Sequence, residues 1–311
     1  MIPSERVETK DDAFALLSLK PEELFARADR VREVHKGKLI RVCSLVNAKS
    51  GDCPEDCKFC AQSSHHRTGA PVYPLKTPAE VASAARRAAL WHRDSFCVVT
   101  SGRTVSPEEF EGILAMADQI RTLGFDPHVS LGETDAERAA KLRDRGVACY
   151  NHNLETSRRH YPNICTTHTF DDRLRTARLV KQAGLQLCCG GIFGMGETWA
   201  DRVELALSLR EVGADCIPLN FLHPVPGTPL DRLALLRPME ALQVVALFRL
   251  MLPEADIKVA GGRALVLRDL QSWIFYAGAN GLIIGDYLTT RNRSPEDDLQ
   301  MIEDLGFEFR K

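Results

Sequence analysis

No stretch of this 311-residue chain approaches the roughly 20 consecutive apolar residues that a membrane helix needs. The start, Met1-Ile2-Pro3-Ser4-Glu5-Arg6, holds no apolar signal core. Charge of one sign is also missing. Forty Lys and Arg stand against 42 Asp and Glu, mixed along the chain, for a net charge of −2. That argues against a nucleic-acid-binding face and against an anionic membrane surface. There is no linker rich in Pro, Gly or Ser, no low-complexity tract, and no repeat beyond a strand–helix unit. The nine histidines show no zinc-protease spacing. The expectation is a soluble cytoplasmic enzyme with no nucleic-acid or membrane partner. In a reducing compartment, ten cysteines are better explained by metal ligation than by disulfides. Some will still be plain core residues, because free cysteine buries well.

Three of those cysteines share one loop, Cys53-Pro54-Glu55-Asp56-Cys57-Lys58-Phe59-Cys60. The spacing brings three thiolates close enough to hold one metal centre, and three is one short of the usual closed zinc or iron–sulfur site. On a four-iron cluster the missing ligand leaves one iron open for chemistry. The competing readings are a zinc knuckle that borrows a distant histidine and an ordinary reduced cysteine cluster. His65 and His66 read as solvated loop residues, and Arg86 and Arg87 as the wet face of a helix.

Apolar runs alternate with amphipathic stretches through the rest of the chain. Strands are expected at Leu39–Val46, Ser95–Thr100, Pro127–Leu131, Val147–Leu154, Leu185–Phe193, Asp215–Asn220, Asp256–Ala260 and Gly281–Ile284. Helices are expected at about 78–92, 107–123, 135–145, 171–183, 200–212, 239–252, 268–277 and 296–305. Thr77-Pro78-Ala79-Glu80 and Ser106-Pro107-Glu108-Glu109 each give a cap hydroxyl, a proline at the first helical position and a reciprocating acid. Ser294-Pro295-Glu296-Asp297 is a similar start with a shorter acid. This rhythm predicts an α/β fold, a (β/α)8 TIM-type barrel over residues 38–311 behind a helical extension over 1–37. An open doubly wound sheet is the runner-up, disfavoured by the strand count and by the lack of a Gly-x-Gly-x-x-Gly start. In the barrel, the cysteine loop follows the first strand, on the face where such barrels place their active sites.

Strand parity sorts what points inward. Asn151, Asn153 and Glu155 share a polar face with Cys149 beneath them, while Tyr150, His152 and Leu154 face the other way. Cys188 and Cys189 cannot both face the lumen. Cys43, Cys97, Cys216 and Lys258 are further inward candidates. Branched aliphatic residues normally fill such a lumen, so this set points to a second, buried iron–sulfur centre. For any single cysteine, a small core residue is the plainer reading. Cys165 falls on the loop after the fourth strand and has no assigned role.

The cysteine loop followed by Ala61-Gln62-Ser63-Ser64 resembles the radical S-adenosylmethionine loop of the biotin synthase family. Tyr150-Asn-His-Asn-Leu-Glu-Thr-Ser157, Cys188-Cys-Gly-Gly-Ile192, Gly194-Met-Gly-Glu197 and Gly227-Thr-Pro-Leu230 resemble other blocks of that family. So do Ala260-Gly-Gly-Arg263, Ala277-Gly-Ala-Asn280 and Leu288-Thr-Thr290, all in family order from about residue 38 to the C-terminus. The resemblance implies a (β/α)8 barrel, usually a homodimer. It implies a 4Fe–4S cluster on Cys53, Cys57 and Cys60 that chelates S-adenosylmethionine, reduced by flavodoxin or ferredoxin. The 5′-deoxyadenosyl radical so formed would abstract hydrogen from dethiobiotin, and sulfur from a second cluster would close the ring. By position, Phe59, Thr100, Asn153, Glu155, Arg173 and Ile192 match residues near S-adenosylmethionine. Asn153, Asn220, Thr289 and Thr290 match residues near dethiobiotin.

The chain departs from that pattern at the second cluster. Its well-known form is a 2Fe–2S centre on three cysteines and an arginine. Here Cys97 and Cys188 match, but His128 and Lys258 occupy the other two positions, and a protonated lysine has no lone pair for iron. Cys43 and Cys216 replace serines, Cys149 replaces a tyrosine, and Glu155 replaces a shorter acid. The expectation is an auxiliary cluster of different make, a four-iron one on Cys43, Cys97, Cys188 and either Cys216 or Cys149. Two other functions stay open at this point. One is a related radical enzyme of the hydrogenase-maturation or methylornithine type, and the other is a non-catalytic iron–sulfur or zinc protein.

Overall fold

Helix starts form where the caps demand them. In the computed structural model, which describes residues 7–311, the Thr77 amide donates to Glu80 at 2.8 Å and the Glu80 amide donates back to the Thr77 hydroxyl at 3.3 Å. The Ser106–Glu109 pair does the same at 2.9 and 3.2 Å. Ser294 caps its helix through the Asp297 amide without the reciprocal bond. Residues 1–6 of the expected N-terminal extension lie outside the described residues. The remainder of it forms α1 (Lys10–Leu17) and α2 (Pro21–Lys36), with α2 packed on the later helix Pro238–Met251.

The body alternates β1 (Arg41–Lys49), α3 (Pro78–Ala88), β2 (Ser95–Thr100), α4 (Pro107–Thr122), β3 (Asp126–Ser130), α5 (Ala136–Asp144) and β4 (Cys149–Asn151). It continues with α6 (Phe170–Gln182), β5 (Gln186–Cys188), β6 (Gly191–Phe193), α7 (Trp199–Val212), β7 (Cys216–Phe221), α8 (Pro238–Met251) and β8 (Asp256–Val259). Then come α9 (Arg263–Leu267), α10 (Trp273–Tyr276), β9 (Gly281–Ile283) and α11 (Pro295–Asp304). All strands pair in parallel, and the ring closes because β5 also pairs with β7 through Cys188 and Cys216. This is the expected (β/α)8 TIM-type barrel, and its apolar core lies between the strands and the surrounding helices.

Three expectations need correction. The fourth strand, read over Val147–Leu154, is regular only over Cys149–Asn151, because the Leu154 and Glu155 amides both turn to the Gly190 carbonyl and Glu155 adopts φ +67°. The fifth strand, read as continuous over Leu185–Phe193, breaks into β5 and β6 at Cys189-Gly190. Pro218 of β7 faces the break and has no amide hydrogen for the ladder. The Gly190 carbonyl instead accepts the Leu154 amide at 3.0 Å, and its own amide donates to Asn153 Oδ1 at 3.1 Å. A Cβ on Gly190 would lie 2.0 Å from the Pro218 carbonyl oxygen. Gly190→Ala is therefore expected to cost more than about 3 kcal/mol by prising β6 from β7, visible in urea denaturation of the variant. The helix read at 268–277 is the third correction. Arg268, at φ +50°, ends α9; Arg268–Leu270 then close as a 3-10 turn, and α-helical pairing resumes only in α10, from Trp273.

At the floor of the barrel, His92 is fully buried. Its Nδ1 accepts the Asp94 amide at 3.2 Å and its Nε2 lies 2.8 Å from the Ser44 hydroxyl, which fits a neutral ring. Burial, with Lys258 and Arg93 adding to it, pushes its pKa down to about 4. The unfolded chain thus binds the extra proton first, so this contribution is complete above the ordinary histidine pKa and drains away as pH falls toward 4. Between pH 7.5 and 5.5, His92 should account for about 1 kcal/mol of lost stability. His92→Gln should flatten that slope in denaturation curves without abolishing it, since burial also holds His128 and His152 neutral.

Candidate active site at the barrel mouth

The cysteine loop leaves β1 through two left-handed residues, Gly51 (φ +77°) and Asp52 (φ +47°). It is pinned at its ends, where the Cys53 amide donates to the Gln62 carbonyl at 3.1 Å and the Ser64 amide to the Cys53 carbonyl at 2.8 Å. The loop after β4 holds it from above. The Lys58 amide donates to the Ile164 carbonyl at 2.9 Å, and Asp56 accepts from the Thr166 amide at 2.8 Å and the Thr167 amide at 3.2 Å. Partial burial opposes the Asp56 charge, yet these donors hold its carboxyl well below the usual range. His65 and His66 are outlying, as expected, but they brace the loop by contacting the Pro54 and Cys57 carbonyls at 2.9 and 3.1 Å.

A cavity of about 340 Å³ opens at this end of the barrel. Cys53, Cys57 and Cys60 line it from above, and Cys43, Cys97, His128, Cys188 and Lys258 line it from below. Phe59, Thr100, Asn153, Glu155, Arg173, Ile192, Asn220, Thr289 and Thr290 complete the candidate set around it. Cys149 and Cys216 do not line it; they pack with Cys188 just beneath, as a separate cluster of three buried thiols. A larger cleft of about 1140 Å³ lies between α2 and α8, and no cysteine lines it.

The lumen set follows from register. Cys97 of β2 is paired with His128 of β3, which is paired with Cys149 of β4, so the three side chains point to the same side. Asn151 donates to Cys97 Sγ at 3.0 Å. Burial pushes the thiols of Cys43 and Cys97 up, and the bond to Cys188, with burial, does the same to Cys216. It drives His128 well below its ordinary value, with Lys258 and Arg41 adding to the effect, so its ring is a neutral potential ligand. Lys258 is fully inside and faces Cys216, Cys43 and Cys188. Cys189, by contrast, lies in the outer core.

Higher up, Glu155 sits at φ +67°, a strained backbone that a non-glycine residue adopts only when its surroundings enforce it. Its carbonyl accepts the Ile192 amide at 2.8 Å, and its carboxylate meets Arg173 at 3.5 Å. The second carboxylate oxygen is buried with no partner, an acceptor left for a ligand. Burial raises the Glu155 pKa against the pull of Arg173. Arg173 also binds the Asn153 carbonyl. Phe59 and Ile192 pack against Ile164, Met195 and Leu222 in one apolar patch. Asn220 is committed on both sides, accepting from the Gly261 amide at 2.9 Å and donating to the Gly191 carbonyl at 3.2 Å.

Among the described residues, the one trio of ligand atoms within 4.8 Å of each other is Cys57, Cys165 and His168. Cys53, Cys57 and Cys60 are thus spread wider than a single ion requires, which suits a cluster. Cys165, unassigned from the sequence, sits 3.8 Å from Cys57. The bond from Cys57 pulls the Cys165 thiol down, to about 4, and pushes its partner's up. No sequence signal linked them, since 108 residues separate the pair.

A barrel with an incompletely ligated cysteine loop at its mouth defines the radical S-adenosylmethionine class, and the Radical SAM superfamily signature matches residues 49–209. The Biotin and Thiamin Synthesis associated domain matches residues 218–308. Biotin synthase of Geobacter sulfurreducens is 50% identical over 307 residues, covering 97% of this chain and 93% of its own length. That of Syntrophotalea carbinolica is 50% identical over 290 residues, covering 93% and 89%. The chain belongs to the biotin synthase family. Among solved structures, methylornithine synthase superposes with a TM-score of 0.82 at 20% identity, covering 98% of this chain and 94% of its own. The FeFe-hydrogenase maturase HydG of Carboxydothermus hydrogenoformans gives 0.82 at 17%, covering 98% and 76%. At those identities the likeness is one of fold. Membership implies a 4Fe–4S cluster and S-adenosylmethionine. No helix among the described residues is long and apolar enough to cross a membrane.

Proposed function

We propose that this protein converts dethiobiotin to biotin, with Cys53, Cys57 and Cys60 holding the 4Fe–4S cluster and Cys43, Cys97 and Cys188 holding an auxiliary one. The observation that carries the reading is a single cavity with three loop thiols above it and three lumen thiols below. When bound, the upper cluster and S-adenosylmethionine would supply the radical chemistry that activates dethiobiotin.

The chain's own residues bind, align and shield. Glu155, with its unpartnered carboxylate oxygen, accepts from S-adenosylmethionine, and Arg173 fixes that carboxylate and the Asn153 carbonyl. Phe59 and Ile192 give the nucleoside an apolar wall, and Thr100 a hydroxyl. Asn153, Asn220, Thr289 and Thr290 face dethiobiotin. Asn220 also fixes the strand ends through Gly191 and Gly261, which leaves one amide hydrogen and one oxygen lone pair for the substrate.

Cys216 or Cys149 supplies the fourth auxiliary ligand, supported by their packing on Cys188. His128, kept neutral, is a reserve ligand, and Lys258 supplies positive charge against the lumen sulfurs. The auxiliary cluster proposed is the four-iron form; four ligands hold a 2Fe–2S centre equally well, so the iron count is what separates the two. Residues 38–311 act as one barrel unit with 1–37 as its extension, working as a cytoplasmic homodimer with flavodoxin or ferredoxin as reductant. The test is anaerobic: reconstituted protein with dithionite and S-adenosylmethionine should release 5′-deoxyadenosine and turn dethiobiotin into biotin. Deoxyadenosine without biotin would overturn the substrate assignment.

A further inference from the structure

Cys57 Sγ, Cys165 Sγ and His168 Nε2 stand at the corners of a nearly equilateral triangle. Its sides are 3.8 Å between the sulfurs, 3.7 Å from Cys57 to the imidazole and 3.6 Å from Cys165 to it. A tetrahedral zinc ion with ordinary bond lengths places two sulfur ligands about 3.8 Å apart and a sulfur and a nitrogen about 3.6 Å apart. Three sides out of three agree. Cys165 and His168 are buried, so the triangle is built rather than a chance surface grouping.

The surroundings complete it. Glu55 Oε2 lies 3.5 Å from His168 Nε2, in reach of the fourth position. The Tyr161 hydroxyl is 2.7 Å from His168 Nδ1, the outer contact that metal-binding histidines usually make through their second nitrogen. Cys165 Sγ is equally 3.6 Å from Nδ1, so the ring stands side-on to that sulfur; the spacing of the three groups suits an ion, and the direction of Nε2 is what binding has to adjust, with the Tyr161 contact following the ring.

We infer that, in the cluster-free chain, Cys57, Cys165 and His168 form a site for one thiophilic divalent cation, zinc foremost. Two thiolates and an imidazole select zinc or ferrous iron over calcium or magnesium. Because Cys57 is shared, an ion here excludes the 4Fe–4S cluster; that consequence alone rests on the ligand assignment proposed above.

Cobalt(II) is the probe. Cys53→Ala/Cys60→Ala protein, which cannot build the upper cluster, should bind cobalt with tetrahedral visible bands and sulfur-to-cobalt absorption, displaced by zinc. Adding Cys165→Ala or His168→Ala should weaken that binding at least about 100-fold, and Tyr161→Phe about tenfold. Circular dichroism checks that each variant is folded, and His168→Gln keeps the size of the ring position. Cobalt spectra and affinity indifferent to Cys165 and His168, with the lumen cysteines taking the metal, would overturn the site. In the unmutated cluster-free chain, one equivalent of zinc should slow iron–sulfide uptake, and Cys165→Ala should remove that block. A cobalt site intact in every respect, with uptake untouched by zinc, would uphold the site and refute Cys57 as a cluster ligand.

Discussion

Cys53→Ala/Cys57→Ala/Cys60→Ala protein, reconstituted without oxygen, will still carry iron and sulfide but will release no 5′-deoxyadenosine. The loop thiols and the lumen thiols belong to different elements. The first three sit on the segment after β1, held by backbone bonds to Gln62 and Ile164. The second set rides on β1, β2, β5 and β7, fixed by barrel register. Alanine at the loop leaves that register untouched, so about four iron atoms should remain of about eight, by chemical analysis and Mössbauer spectra. The reciprocal variant, Cys97→Ala/Cys188→Ala, should release deoxyadenosine and make no biotin. Absence of residual iron in the triple variant would refute the auxiliary centre.

Period-two reasoning carries far in this chain because the barrel wall has two chemically distinct faces. Tyr150 falls in the outer core while Cys149 and Asn151 face inward, and Cys188 parts from Cys189 as the pleat requires. Proline-bearing caps are local chemistry and read directly from four residues. The broken fifth strand was not legible, because the break depends on Pro218 opposite Gly190, a partner nearly thirty residues away that is known only once β7 is in register. Cys165 was illegible for the same reason at greater range. Its meeting with Cys57 depends on one aspartate, Asp56, gathering the Thr166 and Thr167 amides across two loops.

Replacing Asp298 by alanine should cost about 3–5 kcal/mol, the largest stability loss expected of any single charge removal here. Arg263 and Asp298 are both wholly buried and form a direct ion pair. The other guanidinium contacts are Gln271 Oε1 at 2.8 Å and the Ile283 carbonyl at 3.3 Å, and its Nε has no partner. Without the carboxylate, a cation stays inside with only neutral acceptors, and Arg293, 3.1 Å from Asp298, keeps only the Asp297 carbonyl at 3.4 Å. Urea denaturation under argon would read the loss, and Arg263→Met/Asp298→Leu should recover most of it because the desolvated charges leave together. The pair also explains why Ala260-Gly-Gly-Arg263 behaves as a block. Arg263 ties α11 to the turn after β8, where a Cβ on Gly262 would sit 1.9 Å from the Phe221 carbonyl oxygen. That turn lines the cavity through Gly261 and Gly262. Asp298→Ala should therefore loosen the mouth before it unfolds the barrel, weakening dethiobiotin capture at temperatures where the variant is still folded.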